Sequence, residues 1–344
     1  MKKIKKSVKI IIAIVLVIVL LLASGVIFYL SKLNLIKFSN GKFTWSGSPD
    51  MSDSETLDEE SRMDEAIADL EEKDAVDATG EIYKDKRFLN ILLIGTDEHT
   101  ENFSENARGD SCMIMSIGKK DGSLKLASLE RGMGVPILEG KYKGQYDWLT
   151  HTFRYGGADL MMREVRECFK VDVERYIRVN FATFKKGIDS VGGIDITLTA
   201  AEAAYVNTVT GRRTYVAGDN HLDSAAALAY ARCRHIDSDW HRIERQRNVI
   251  QAVVTKTKDL SVTELNTLLN NVLPLVQTNL TRLEITELLL SAPKYRGVQI
   301  KQMTVPISGS YGGMRGLGGR SLFSVDFDTN AKALREFIYG VTAE

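Results

Sequence analysis

The longest uncharged stretch of the chain runs from Ile10 to Leu30, 21 residues of which only Ser24, Gly25 and Tyr29 fall outside the strongly apolar set. A helix of that length spans roughly 30 Å, the hydrocarbon thickness of a bilayer. A cleaved signal has a shorter apolar core of about 7–15 residues followed by small side chains, whereas this run ends in Phe28-Tyr29-Leu30. The pattern therefore predicts one transmembrane helix over 10–30. After Phe88 the pattern becomes that of a folded domain. Phe88–Gly95 reads as a strand buried on both faces. Ser111–Gly118 and Leu124–Glu130 read as two more strands, joined by the turn at Lys120-Asp121-Gly122. A helix over Gly157–Phe169, a strand over Arg175–Phe181, a helix over Ala182–Ser190 and a strand over Ile194–Leu198 follow. Helical segments dominate Ala225–Ser291; a strand at Val298–Val305 and a helix at Asp328–Tyr339 complete the chain. Alternating strands and helices predict an α/β domain, a mixed sheet between helices, over 88–344.

Charge divides the chain further. Lys plus Arg and Asp plus Glu both number 45, yet residues 1–47 hold eight basic residues and no acidic one, and 48–77 hold thirteen acidic residues against Arg62 and Lys73. The zero net charge is thus a cancellation between blocks. Lys2 to Lys9 hold the tail over 1–9 on the cytoplasmic side of the membrane, which places everything after residue 30 outside the cytoplasm. The acidic part of the 31–87 segment carries a short amphipathic pattern through Met63, Ile67 and Leu70, but its charge density reads as a solvated spacer. Only the five lysines of the tail face the cytoplasm, so no nucleic-acid partner is expected. Cys112, Cys168 and Cys233 are too sparse for a disulfide framework and read as small core residues.

The densest polar stretch is Tyr230–Arg247, with five arginines within 16 residues. Arg232 and Arg234 share a face if the piece is extended, and Arg242 and Arg245 share one at i and i+3 in a helix. Two such pairs suit a diphosphate, whose oxygens planar guanidinium forks bind bidentately; the alternative is a charged surface helix. Asp110, just before the second strand, is placed either to bind Mg2+ beside phosphate oxygens or to form a turn. Ser128-Leu129-Glu130-Arg131-Gly132 leaves the third strand where α/β sheets tend to place ligands. The glycine-rich piece Gly309–Arg320 reads as a mobile loop. There is no P-loop, G-x-S-x-G, H-E-x-x-H or C-x-x-C.

Taken in order, several of these pieces resemble the LytR-CpsA-Psr family of cell-envelope proteins. They are Asn90–Asp97, Arg108-Gly109-Asp110, Ser128–Arg131, Leu149–Gly157, Val191–Asp195, Leu222–Arg234 and Asp239–Gln246. The resemblance spans about Phe88 to Lys258. It implies an αβα domain enclosing an apolar tunnel for a polyprenyl chain. It also implies transfer of a glycopolymer from undecaprenyl pyrophosphate to peptidoglycan, with Mg2+ as cofactor. By position, Asp110 matches the metal-coordinating or base-like aspartate. Arg108, Arg131, Arg232, Arg234, Arg242, Arg245 and Gln246 match positions that hold the phosphates. One motif departs: the family runs Ser-x-Pro-Arg-Asp, and here Glu130 and Gly132 stand for the proline and the second metal-linked aspartate. Three outcomes follow from it: Glu130 supplies the second metal carboxylate, Mg2+ binds through Asp110 and phosphates alone, or the protein binds lipid without turnover. The alternatives to transfer are thus a catalytically silent binder of polyprenyl phosphate or anionic polymer, and a lipid-pyrophosphate hydrolase.

Overall fold

The computed structural model describes residues 31–43, 54–98, 100, 102–104, 107, 109–234 and 236–341. The Ile10–Leu30 run, and with it the expected transmembrane helix, lies outside them. No helix among the described residues is long and apolar enough to cross a membrane. In chain order come β1 (Lys37–Phe38), α1 (Ser54–Ile67), β2 (Phe88–Thr96), β3 (Ser111–Gly118), β4 (Leu124–Leu129) and the short hairpin strands β5 (Gly134–Pro136) and β6 (Tyr146–Trp148). Next are α2 (Leu149–Phe169), β7 (Arg175–Asn180), α3 (Phe181–Ser190), β8 (Ile194–Leu198), α4 (Ala200–Thr210) and β9 (Gly218–Leu222). Helices α5 (Ser224–Arg232), α6 (Asp239–Lys256) and α7 (Val262–Val272) lead to β10 (Gln277–Thr278) and α8 (Arg282–Ser291). The chain closes with β11 (Lys301–Val305), β12 (Tyr311–Arg315), β13 (Ser321–Val325) and α9 (Phe327–Tyr339).

Seven strands form the central sheet in the order β1-β10-β7-β2-β3-β4-β11. The sheet is mixed: β2 pairs parallel with β7 and antiparallel with β3, and β4 pairs parallel with β11. The doubly buried reading of β2 holds. Leu92 and Ile94 face one core, with Ile114 of β3, Phe153 and Val165 of α2 and Leu334 of α9. Ile91 faces the other, with Met113, Leu126 and Ile285 of α8. A third core lies within a layer of helices, joining Ile188 of α3, Val206 of α4, Ala226 and Tyr230 of α5 and Val249 of α6.

Three expectations change. First, the segment read as a solvated spacer is packed against the body. Leu33 and Ile36 enter the second core, and Met63 and Ile67 of α1 pack with Trp148, Leu322 and Phe323. The amphipathic pattern outweighs the acidic charge because the surface beneath it is rich in arginine. Second, Gly309–Arg320 is not a loose loop; most of it is β12, antiparallel to β13. Its glycines admit the chain after α1: a Cβ on Gly312 would lie 2.6 Å from the Glu71 carbonyl, and Gly313 exchanges backbone hydrogen bonds of 3.0 Å with Glu71 and Lys73. Third, α4 begins ahead of the expected helical region, at a reciprocal cap between Thr199 and Glu202 that the Thr-x-x-Glu spacing encodes.

Glu164 of α2 is fully buried, with Oε1 accepting from the Leu138 amide at 3.3 Å and Oε2 lacking a partner among the described residues. Burial pushes its carboxyl up to about 8, against the Thr152 hydroxyl that favours the ionised form. The unfolded chain loses this proton near the ordinary value of 4.5, so the folded state holds it more tightly and stability falls as pH rises through that window. Glu164→Gln keeps the acceptor for Leu138 and removes the ionisation. Its Tm should match the parent near pH ~5 and exceed it by several degrees near pH ~9, measured by calorimetry at both pH values.

Candidate active site

A cavity of about 770 Å3 separates the second sheet face from the helical layer. Its walls are Leu93, Met113, Ile177 and Val179 from the sheet, and Phe184, Val209, Leu228, Ala229 and Ile250 from α3, α4, α5 and α6. The gap has a simple origin. Ala225, Ala229 and Ala231 project too little side chain to reach the strands, so the helical core closes on itself and leaves the sheet face uncovered. The volume falls within the ~300–1,000 Å3 range of small-molecule sites.

One part of the lining, the mouth, is polar: Asp110, Ser111, Arg232, Arg234, Arg242 and Gln246 contribute to it, and Lys185 and Arg212 are further basic side chains of the cavity. Arg242, Gln246 and Ile250 are spaced four apart on α6, so they form one stripe that grades from charged to apolar along the cavity. The Ser111 hydroxyl donates to Gln246 Oε1 at 3.0 Å and ties the stripe to the edge of β3. Arg232 ends α5, Cys233 is extended (φ −62°, ψ 117°), and Arg234 follows. Arg232 and Arg234 therefore share the mouth, while Cys233 is fully buried away from it. The Arg232 guanidinium stacks on Phe181 at 4.6 Å. Arg242 is buried, donates to Asp239 Oδ2 at 3.2 Å, and keeps an Nε that has no partner among the described residues.

Other candidate residues are placed differently. Arg131 is buried and does not line the cavity; its Nε donates to Asp239 at 2.6 Å and its Nη1 to Glu59 at 2.5 Å. Burial opposes ionisation of Asp239, but Arg242 and Arg131 outweigh it and hold the carboxyl down at about 2. Arg245 turns away from the cavity. It donates to Glu202 at 2.6 Å and to the Cys233 carbonyl at 2.8 Å, and pairs with Asp237. The residue that accompanies Arg242 at the mouth is thus Gln246 at i+4, and the i+3 position is drawn off by carboxylates. Glu130 is fully enclosed. Its Oε1 accepts from the Gly132 amide at 3.3 Å, its Oε2 has no partner among the described residues, and burial with Asp239 pushes its carboxyl up to about 7. Arg108 lies outside the described residues.

Two site residues escaped the sequence reading. Asp239 carried a signal, since an acid in the first turn of α6 at i−3 from Arg242 is a natural partner for it. Glu59 carried none: only the return of α1 to the body brings it to Arg131 and, at 3.0 Å, to Arg234.

The LytR_cpsA_psr family model matches residues 52–335. The polyisoprenyl-teichoic acid–peptidoglycan teichoic acid transferase TagU of Bacillus cereus is 32% identical over 197 residues, 56% of this chain and 61% of that protein. The protein of the same name from Enterococcus faecalis is 32% identical over 180 residues, 51% of this chain and 56% of its own. The match thus spans less than two thirds of these relatives' length. Among solved structures, Bacillus subtilis TagT superposes with a TM-score of 0.57 at 23% identity, covering 79% of this chain and 99% of that one. A TagT structure with bound octaprenyl pyrophosphate lipid superposes at 0.56 and 22% identity, covering 78% and 97%. Those two likenesses establish the fold, an α/β architecture around a central mixed sheet. With the family match running over most of its length, the chain belongs to the LytR_cpsA_psr family.

Proposed function

We propose that this chain is a membrane-anchored transferase that moves a glycopolymer from a polyprenyl pyrophosphate carrier to peptidoglycan through a new phosphodiester. The observation that carries this reading is the polarity of the cavity: an apolar interior adjoins a polar lining to which Arg232, Arg234 and Arg242 all contribute. Guanidinium groups gathered at a partly buried site favour an anionic ligand whose oxygens their planar forks can bind. The ligand that fits both ends has an isoprenoid tail and a phosphate head. The relatives named as teichoic acid transferases and the TagT structure with a bound polyprenyl pyrophosphate support the same reading. The Ile10–Leu30 helix would hold the protein in the membrane once, with residues 1–9 in the cytoplasm and the catalytic domain outside, where its lipid substrate resides.

The reaction uses the chain's own groups as follows. An acceptor hydroxyl of peptidoglycan attacks the sugar-side phosphorus; the new P–O bond forms as the P–O–P bridge breaks, and polyprenyl phosphate leaves with the bridging oxygen. Arg232, Arg234 and Arg242 neutralise charge on the two phosphates, more strongly than in water because the site is partly buried. Asp110 accepts the hydroxyl proton or holds a metal. Asp239 fixes Arg131 and Arg242 by hydrogen bonds of 2.6 and 3.2 Å. The residues at the mouth fit Mg2+ through Asp110 with phosphate oxygens and water, and among the described residues no group of three or more His, Cys, Asp or Glu is arranged for a metal. Bound so, Mg2+ would supply charge neutralisation on the departing phosphate. Glu130 does not fit as a second ligand, because it is enclosed and burial favours its neutral form.

A silent lipid binder is the second reading, favoured by the absence of a carboxylate at Gly132. An assay of the full chain in detergent, with a lipid-pyrophosphate-linked glycan, Mg2+ and peptidoglycan fragments, separates these two readings and a hydrolase: linkage formed supports transfer, bound lipid without linkage supports the binder, and free glycan phosphate supports a hydrolase. Arg242→Ala should lower linkage formation by about a hundredfold, the scale of losing one donor to developing charge. Ala229→Trp, which fills the apolar part of the cavity, should abolish binding of long polyprenyl pyrophosphates by calorimetry while inorganic pyrophosphate still binds at the mouth.

A further inference from the structure

Helix α1 is an acidic element set on a basic surface. Asp58 lies 3.5 Å and Glu59 3.0 Å from Arg234, Glu59 also reaches Arg131 at 2.5 Å, Glu60 meets Arg320 at 2.8 Å, and Asp64 meets Arg315 at 2.9 Å. Among these, Glu59 is the most enclosed, 3% exposed, and a single oxygen, Oε1, accepts from both Arg131 and Arg234. One oxygen held between two guanidinium groups is how an oxyanion of a phosphate is bound. Arg62 of α1 adds a hydrogen bond of 3.2 Å to the Arg234 carbonyl, so the helix holds the backbone of that residue as well as its side chain.

Helix α1 also reaches Gly132. A Cβ on that residue would lie 1.9 Å from Met63 Cε, so any side chain there would have to push the methionine away. Beside Arg131 the space at position 132 is filled by the end of the Met63 side chain, and the charge of Arg131 is met by Glu59.

We infer that Glu59 of α1 is an internal competitor: in the free protein its carboxylate stands between Arg131 and Arg234, positions the family resemblance already assigns to phosphate, and it yields that place to a phosphate or phosphodiester oxyanion of the substrate. This inference rests on the proposed lipid-pyrophosphate reading and adds to it an internal competitor. The electrostatic reason is direct. Arg234 lines the cavity and also pairs with Glu59, so any charge Glu59 neutralises there is charge withheld from the ligand. A carboxylate a few ångströms from the bound anion also repels it.

The test uses the full chain in detergent and farnesyl pyrophosphate as the probe, with affinity measured by calorimetry at low and high salt. Glu59→Gln should bind the probe about tenfold more tightly than the parent at low salt, with the gain shrinking as salt screens the site. The gain should vanish when Arg234→Ala is also present, since Arg234 is the link between Glu59 and the cavity. Unchanged or weaker binding by Glu59→Gln, or a gain that persists without Arg234, overturns the inference. A second measurement needs no variant: amide hydrogen exchange over 54–67 should speed up when the parent protein binds the probe, and unchanged or slower exchange counts against displacement. If the parent does not bind the probe at all, the lipid-pyrophosphate reading fails and the competitor falls with it. If the parent binds and loses binding on Arg242→Ala, that reading stands whatever Glu59 does.

Discussion

Everything at the site depends on holding several guanidinium groups, partly out of water, at the end of an apolar cavity. An unpaired buried charge is among the most costly features a fold can carry. The protein meets that constraint with carboxylates placed one residue back from the mouth. Asp239 binds Arg131 and Arg242, Glu59 binds Arg131 and Arg234, and Glu202 with Asp237 binds Arg245. These pairs orient the arginines without consuming all their donors: the Nε of Arg242 has no partner among the described residues. The same network drives α1 onto the body, since its acidic residues complete pairs that the domain leaves open.

The apolar part of the site has a complementary cause. β2, β3 and β7 present large side chains on both faces, and one face is covered tightly by α2 and α9. On the other face α5 offers alanines, so its layer packs within itself and a cavity remains against Leu93, Met113 and Ile177. Helix α6 joins the two environments because residues four apart fall on one stripe, which carries Arg242, Gln246 and Ile250 from the charged mouth into the apolar interior. A ligand with a charged head and a long apolar tail matches that gradient.

Local pattern was a good guide wherever a residue's neighbours in sequence are also its neighbours in space. The alternation through Arg232, Cys233 and Arg234 predicts that the arginines share a face and the cysteine opposes them, and they do. The doubly buried apolar run of β2 and the turn before β4 were equally legible. The i,i+3 pairing of Arg242 with Arg245 was a weaker inference. Helical geometry puts both i+3 and i+4 near a residue, and the choice fell to Glu202, which is distant in sequence and draws Arg245 away. The glycines of β12 looked like a loose loop because their partner, the chain after α1, lies more than two hundred residues earlier.

From its own patterning the sequence specified an uncharged run long enough to cross a membrane, an α/β domain with strands buried on both faces, and a cluster of arginines suited to phosphate. Those properties are short-range: they follow from side-chain periodicity and the reach of the backbone. Tertiary structure alone decided which arginines face the cavity, that Glu130 is enclosed, and that an acidic segment docks where a spacer was expected. The placing of the arginines and the docking of the acidic segment depend on pairing charges far apart in the chain. Coulombic pairing in a buried site is set by distance in space, and sequence spacing does not encode it.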